Sequence, residues 1–160
     1  MTNIYFWKVT DKYGCFSQWY LSNFSDSEHN YCCAEQYMMY QKAKVFNDNV
    51  MAEKILNTSD PKEIKALGRK VQNFNDRIWE AKRFDIVLNG NRLKFSQNEK
   101  LKTILLSLPD DCKIMEASPY DKIWGIGMDE ETAKRSTNIN GLNLLGQAIM
   151  KVRRELKNVS

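Results

Sequence analysis

The sequence predicts an α+β fold that is mainly α-helical and contains a few short strands. Three observations lead to this prediction: a length that suits one domain, several capped segments with helical spacing, and two short runs with strand-like composition. The chain has 160 residues, of which 42% are hydrophobic and 28% charged, as in globular proteins. No linker, repeat or low-complexity block divides the chain, so we expect a single compact domain over residues 1–160.

Two strands are expected, one near each end of the chain. Residues 4–9, "IYFWKV", are β-branched and aromatic and run into a turn. Residues 112–118, "CKIMEAS", alternate enough to form a second strand.

Most of the remaining chain is expected to be helical. The helix at 61–69 has the clearest start, because Ser59 or Asp60 can cap it and Pro61 suits its first turn. Gly90 weakens the longest segment, because glycine is a poor helix former. The predicted helices cover 33–46, 48–56, 61–69, 75–94, 98–107 and 140–157.

Charge and cysteine content argue against several classes of protein. The formal charge is +4 with basic and acidic residues interleaved, which is only a weak indication of anionic partners. The basic run at 151–157 is interpreted as a solvated helix face rather than a nucleic-acid site. The four cysteines have no C-x-x-C spacing, which indicates neither a zinc site nor a redox dithiol. Without a signal-like or membrane-spanning stretch, we expect a cytoplasmic protein with reduced thiols.

The helix expected at 33–46 carries two charges in apolar surroundings. On a 3.6-residue helix, Glu35 and Lys42 share one stripe with Met39 and Phe46. Ionisable groups on a half-buried helix are costly unless they are paired or used. They could line a site, or Glu35 could complement the positive helix end while Lys42 reaches water. The pattern alone leaves both interpretations open.

A second group of candidate residues lies in "MEASPYDKIWGIG", residues 115–127. Ser118, Pro119 and Asp121 have the spacing of the cap and first turn of a short helix that Gly125 would close. Asp121 alone is more often a capping residue than a catalyst. Its closeness in sequence to Trp124 and to two glycines, which let backbone approach a ligand, makes a site worth considering.

A third candidate stretch, residues 66–95, surrounds Trp79 with basic residues. Arg69 is one of them, and such a mixture suits a phosphate and a flat ring. Solvated helix faces explain most of these basic side chains equally well.

Seven motifs, spread over nearly the whole chain and in order, closely resemble the YbiA-like, or NADAR, proteins. They are "YGCFSQWY" (13–20), "YCCAEQYMMYQKA" (31–43), "DPKEIKALGRKVQNF" (60–74), Trp79, "KFSQN" (94–98), "EASPYDKIWGIG" (116–127) and "GLNLLGQAIMKVR" (141–153).

This resemblance implies a YbiA-like fold and an N-glycosidase without a metal or redox cofactor. The implied substrates are phosphorylated early intermediates of riboflavin synthesis, or ADP-ribose on guanine in a nucleotide or nucleic acid. No membrane and no obligate protein partner are implied. The implied catalytic residues are Glu35, Lys42 and Asp121. The implied substrate-binding residues are Ser17, Trp19, Arg69, Trp79 and Trp124, with Trp79 and Trp124 as stacking surfaces and Arg69 as a phosphate ligand.

The chemistry suits these residue types. Breaking a ribosyl C–N bond builds positive charge at the anomeric carbon, which a carboxylate such as Glu35 can stabilise. Lys42 could attack that carbon as a free amine and form a Schiff base, or it could bind phosphate or hydroxyl groups. We favour the Schiff base. The competing functions are a non-catalytic module that binds ADP-ribose or nucleotide, and a nucleic-acid-binding protein.

Overall fold

The computed structural model describes residues 1–159. These residues form seven α-helices, four short β-strands and one 3-10 helix, so the prediction of a mainly helical α+β fold is confirmed. The strands are β1 (Thr2–Phe6), β2 (Phe24–Ser25), β3 (Asn30–Tyr31) and β4 (Cys112–Glu116), and the 3-10 helix is Gly14–Phe16. The helices are α1 (Ala34–Val45), α2 (Asn49–Leu56), α3 (Pro61–Gly68), α4 (Asp76–Gln97), α5 (Glu99–Leu106), α6 (Glu130–Lys134) and α7 (Leu144–Val159).

The backbone contacts divide the chain into two compact units. One unit combines residues 1–17 with residues 99 onward, and the other is Gln18–Asn98. The single domain expected over residues 1–160 therefore stays a prediction.

The first unit is built around a parallel pair of strands. Strand β1 pairs with β4 in a register that runs from Thr2 opposite Cys112 to Phe6 opposite Glu116. Helix α7 packs on β4, and α5 packs on α7. The buried guanidinium of Arg153 donates to backbone carbonyls in and after α5, which satisfies the end of that helix.

The second unit is built around helix α1. Helices α2, α3 and α4 and strand β3 all contact it, so most of its side chains are buried. Two glycines permit this packing. A Cβ at Gly68 would lie 1.9 Å from Met39 Sδ, and one at Gly90 would lie 2.7 Å from the Tyr37 ring. Gly90, which lowers the helix propensity of α4, therefore allows α1 and α4 to approach closely.

Several element boundaries differ from the prediction for local reasons. Strand β1 ends at Phe6 because Asp11 Oδ2 accepts a hydrogen bond from Lys8 N and turns the chain. Helix α7 begins only at Leu144, because Asn143 has a left-handed φ of 54° and its side chain bonds to the backbone of β4. The cap predicted for α3 is confirmed, since Asp60 accepts from Lys62 N.

Among residues 1–159, no helix is both long enough and apolar enough to cross a membrane.

Candidate active site

Glu35 and Lys42 lie two turns apart on helix α1, as the sequence spacing predicted. Glu35, in the first turn, has only 7% of its surface exposed, and Lys42 is half-buried. Burial lowers the pKa of Lys42 below its ordinary value. The charge of Glu35 acts in the opposite direction and raises that pKa. The two side chains are therefore close enough to interact electrostatically.

Buried amide side chains hold the start of helix α1. Glu35 N donates to the backbone carbonyl of Gln18 (3.0 Å), and Gln18 Oε1 accepts from Asn91 Nδ2 of α4 (3.0 Å). Gln36 Oε1 accepts from Cys32 N (2.7 Å), while Gln36 Nε2 donates to carbonyls at the end of α2. This arrangement satisfies backbone groups that a helix start leaves open, and it fixes the position of Glu35.

Two aromatic rings flank the Lys42 amine. Its Nζ lies 4.7 Å from the centroid of Phe74 and 5.7 Å from that of Trp79, both within cation–π distance. Trp79 is 8% exposed, whereas Phe74 is 41% exposed. Both rings lie close enough to contribute to the burial of the amine, and their faces favour its charged form. Burial is the largest effect on the pKa of Lys42 and outweighs the charges of Glu35 and Asp76, so this pKa is lowered.

Phe74 was not among the candidates that the sequence identified. It precedes Asn75, which caps α4 by accepting from Ile78 N, and it follows Asn73, whose φ of 63° is left-handed. Its ring packs at 5.3 Å on Phe46 at the end of α1. The cap at Asn75 is a signal that could have placed Phe74 just before the helix. Nothing local in the sequence indicates that its ring lies beside Lys42.

Asp76 was also missed by the sequence analysis. It lies in the first turn of α4, and its negative charge raises the pKa of Lys42, as that of Glu35 does. A carboxylate in the first turn stabilises the positive end of a helix, so the sequence offered no reason to assign Asp76 a further role.

Arg69 and Trp19, two predicted substrate-binding residues, belong to the same unit as Lys42. Arg69 is exposed at the end of α3, and its positive charge lowers the pKa of Lys42. Trp19 is 37% exposed, and Lys65 Nζ of α3 lies 5.9 Å from its ring centroid. The structure thus brings Arg69 and Trp79 close to Lys42, and it places an accessible cation at the end of α3.

The other three predicted site residues belong to the first unit. Ser17 is buried directly after the 3-10 helix, where its N–H donates to Gly14 O (3.0 Å). Asp121 and Trp124 are half-buried in the loop after β4. Their roles in substrate binding or catalysis stay predictions.

The short helix predicted from Ser118 to Gly125 is wrong. The chain forms successive turns there, in which Ser118 Oγ accepts from Tyr120 N and Asp121 Oδ1 accepts from the N–H groups of Ile123 and Trp124. These local bonds compete with the helical ladder. The space beside Gly125, which the sequence suggested for a ligand, is filled by the protein backbone. A Cβ at this position would lie 2.9 Å from the carbonyl oxygen of Asp121.

Within residues 1–159, no group of three or more His, Cys, Asp or Glu side chains has the arrangement of a metal site.

Comparison with known proteins matches the NADAR domain to residues 5–157. An N-glycosidase of Acanthamoeba polyphaga mimivirus is 48% identical over 150 residues, which cover 88% of this chain and 86% of the viral protein. A riboflavin biosynthesis protein of Vibrio vulnificus is 30% identical over 154 residues, covering 96% of this chain but 38% of that protein. The solved structure of E. coli YbiA aligns with a TM-score of 0.82 at 26% identity, covering 99% of this chain and 86% of the YbiA chain.

Proposed function

The chain belongs to the NADAR domain family, and on that premise we propose that it is an N-glycosidase that hydrolyses a bond between ribose and a base nitrogen. The similarity to a viral N-glycosidase extends over most of both chains. Family membership also confirms the resemblance to YbiA-like proteins that the sequence motifs indicated.

The observation that carries the proposal is the environment of Lys42. An amine with a lowered pKa is available in its neutral, nucleophilic form at a lower pH than an exposed lysine. The half-exposed Phe74 and the buried Trp79 leave this amine next to flat aromatic surface of the kind that stacks on a nucleobase. A lysine required only for solubility would have no reason to lie there.

Glu35 is proposed as the carboxylate that assists the reaction. Because it is buried on the same stripe of α1, its charge acts through little solvent. A carboxylate in this position can stabilise the positive charge that develops at the anomeric carbon and can transfer a proton. Asp121 is proposed as the second carboxylate, on the strength of the motif that contains it.

The covalent route can be written so that every bond is accounted for. The neutral Nζ of Lys42 attacks the anomeric carbon, and the glycosidic electron pair leaves with the base, which takes up a proton. Nζ then gives up one of its protons, its electron pair opens the ribose ring at the anomeric C–O bond as the ring oxygen takes a proton, and an iminium joins the anomeric carbon to Nζ. Water adds to that carbon and releases the amine together with the free sugar.

The substrate is proposed to carry a phosphate. Arg69 is exposed and electrostatically close to Lys42, so it can bind an anion near this amine. Two phosphorylated ribosyl compounds fit: early riboflavin intermediates and ADP-ribose attached to guanine. Ser17, Trp19, Trp79 and Trp124 complete the proposed binding residues.

The test is product analysis with each substrate class. The protein is incubated with a phosphorylated riboflavin precursor or with an ADP-ribosylated guanine oligonucleotide, and the released base and sugar are separated by chromatography. We expect one substrate to yield free base and a reducing sugar phosphate. Borohydride added during turnover should reduce the iminium and add the ribosyl mass to the peptide that contains Lys42.

Three outcomes separate the possibilities. Turnover with a labelled Lys42 supports the complete mechanism. Turnover without a label leaves the N-glycosidase standing but contradicts the covalent step. Tight binding of ADP-ribose with no product from either substrate would contradict the enzyme and support the binding module instead.

A further inference from the structure

Two adjacent thiols at the start of helix α1 have no part in the proposed reaction. Cys33 is the N-cap residue of α1 and is fully buried, whereas Cys32 is half-buried. Their Sγ atoms lie 3.8 Å apart, and Cys32 Sγ also lies 3.8 Å from the carbonyl oxygen of Ser59. The sequence alone argued against a redox dithiol because C-x-x-C spacing is absent, but contact between neighbouring residues does not need that spacing.

The contact between the two thiols makes them unequal. The hydrogen bond between the two thiols lowers the pKa of Cys32 to about 7, against the opposing effect of burial. The same hydrogen bond, together with burial, raises the pKa of Cys33. Cys32 is therefore the thiol of the pair that loses its proton more readily and that can act as the nucleophile.

Cys32 is also accessible to small molecules. It lines an open groove of about 790 Å³ between the β2–β3 hairpin and the end of helix α2. Every side chain in the lining is uncharged, and most are polar: Asn23, Ser25, Asn57, Thr58, Ser59 and Gln97 are among them. Such a groove admits a small neutral oxidant without attracting or repelling charge.

We propose that Cys32 and Cys33 form an oxidation site at which a hydroperoxide converts the two thiols into a vicinal disulfide. The Cys32 thiolate attacks the peroxide, the O–O bond breaks, and a sulfenic acid forms while the leaving oxygen takes a proton. Cys33 sulfur then attacks the Cys32 sulfur, and the departing hydroxide leaves as water with the Cys33 proton. The peroxide gains two electrons, and the thiol pair loses two.

The bridge is expected to be easily reduced and to disturb helix α1. Neighbouring Cα atoms are about 3.8 Å apart across a trans peptide, below the roughly 4.4–6.8 Å usual in disulfides. Strained disulfides are the more readily reduced ones. The strain falls on the N-cap, two residues before Glu35. Oxidation is therefore inferred to displace Glu35 and reduce turnover, a consequence that rests on the proposed function.

The experiment reads the modification directly by mass. Reduced protein is exposed to graded hydrogen peroxide, alkylated with N-ethylmaleimide and digested with chymotrypsin, which releases residues 32–37 by cutting after Tyr31 and Tyr37. We expect this peptide to lose alkylation and become two hydrogen masses lighter, and to recover both sites after thiol reduction. Half-buried Cys112 is the control thiol in the same sample. We expect Cys32 to react about tenfold faster near neutral pH.

Two variants separate the steps. In Cys33→Ser, oxidation should stop at a sulfenic acid that dimedone traps on residue 32, and in Cys32→Ser the buried Cys33 should remain reduced. The proposed oxidation site would be contradicted if Cys112 were oxidised before Cys32. It would also be contradicted if Cys32 of the wild-type protein became a sulfinic acid without forming the disulfide. Full bridging with undiminished turnover would overturn the effect on Glu35. Because the mass measurement needs no substrate, its result is independent of whether the N-glycosidase proposal holds.

Discussion

Glu35 and Asp121, the two carboxylates that the sequence identified as candidate catalytic residues, have different surroundings in the structure. Asp121 lies in a loop, where its Oδ1 accepts hydrogen bonds at 2.9 and 2.8 Å from the backbone of Ile123 and Trp124. Glu35 is buried on a helix packed against three others, and its charge acts on Lys42. Asp121 thus has a structural reason for its position. Because Glu35 is buried, little solvent screens its interaction with Lys42, so helix α1 is the stronger candidate for the chemistry.

Replacing Lys42 should have the largest effect on this comparison. Lys42→Arg keeps a positive charge beside Phe74 and Trp79, but a guanidinium stays protonated and cannot form the imine. We expect kcat to fall by about 10⁴-fold or more, as when other covalent nucleophiles are removed. Borohydride should then trap no adduct.

Lys44→Arg is the matched control. Lys44 is exposed on the same helix, and its Nζ donates a hydrogen bond to Asn49 Oδ1. It should retain normal kcat. Normal turnover by Lys42→Arg would instead make Lys42 a binding cation.

Glu35→Gln should have the next largest effect. The amide is nearly isosteric and can keep the backbone bond to Gln18, but it cannot carry a negative charge or transfer a proton. We expect kcat to fall by about 10²–10⁴-fold with little change in melting temperature. Glu53→Gln, at an exposed position on α2, is the control. An unchanged kcat would return Glu35 to the role of a charge at the positive end of the helix.

A pair of substitutions at Asp121 separates its structural and catalytic roles. Asp121→Asn keeps an oxygen that can accept from Ile123 and Trp124, so the free energy of unfolding should be unchanged. Asp121→Ala should lower it by about 1 kcal/mol. If the carboxylate also assists catalysis, the Asn variant should lose about tenfold in kcat, equivalent to about 1.4 kcal/mol. Full activity in Asp121→Asn, measured beside the destabilised Ala variant, would make this residue a turn former only.

The smallest expected effect concerns Phe74 and the pH dependence. Because burial lowers the pKa of Lys42, kcat/KM should rise with pH as the amine loses its proton and should level off below the pH at which an exposed lysine titrates. Phe74→Ala admits water, so the rise should move to higher pH. Phe74→Leu keeps apolar cover but removes the ring that favours the charged amine, so it should not move upward.

The expected loss of kcat/KM in Phe74→Ala is about threefold to fivefold near neutral pH, because less of the amine is neutral there, and Phe74→Leu should lose less. An identical upward shift in both variants would contradict the part assigned to water exclusion.

The sequence predicted much of the fold because its signals are local. The cap of α3 at Asp60 and the helical spacing of Glu35 and Lys42 depend on residues a few positions apart, and both are confirmed. The helix expected from Ser118 failed for a related reason. Serine and aspartate suit both helix starts and tight turns, and the residues nearby do not decide between the two.

Local spacing by itself therefore determined the helices, the family motifs and the shared stripe of Glu35 and Lys42. Only the tertiary structure decided that this stripe is buried and that the ring of Phe74 and the charge of Asp76 act on the amine. It also decided that Cys32 contacts Cys33 and lines an open groove. The physical reason is that burial, and with it the pKa of Lys42, depends on which distant segments pack against helix α1. Those contacts join residues far apart in the chain, and no short-range pattern encodes them.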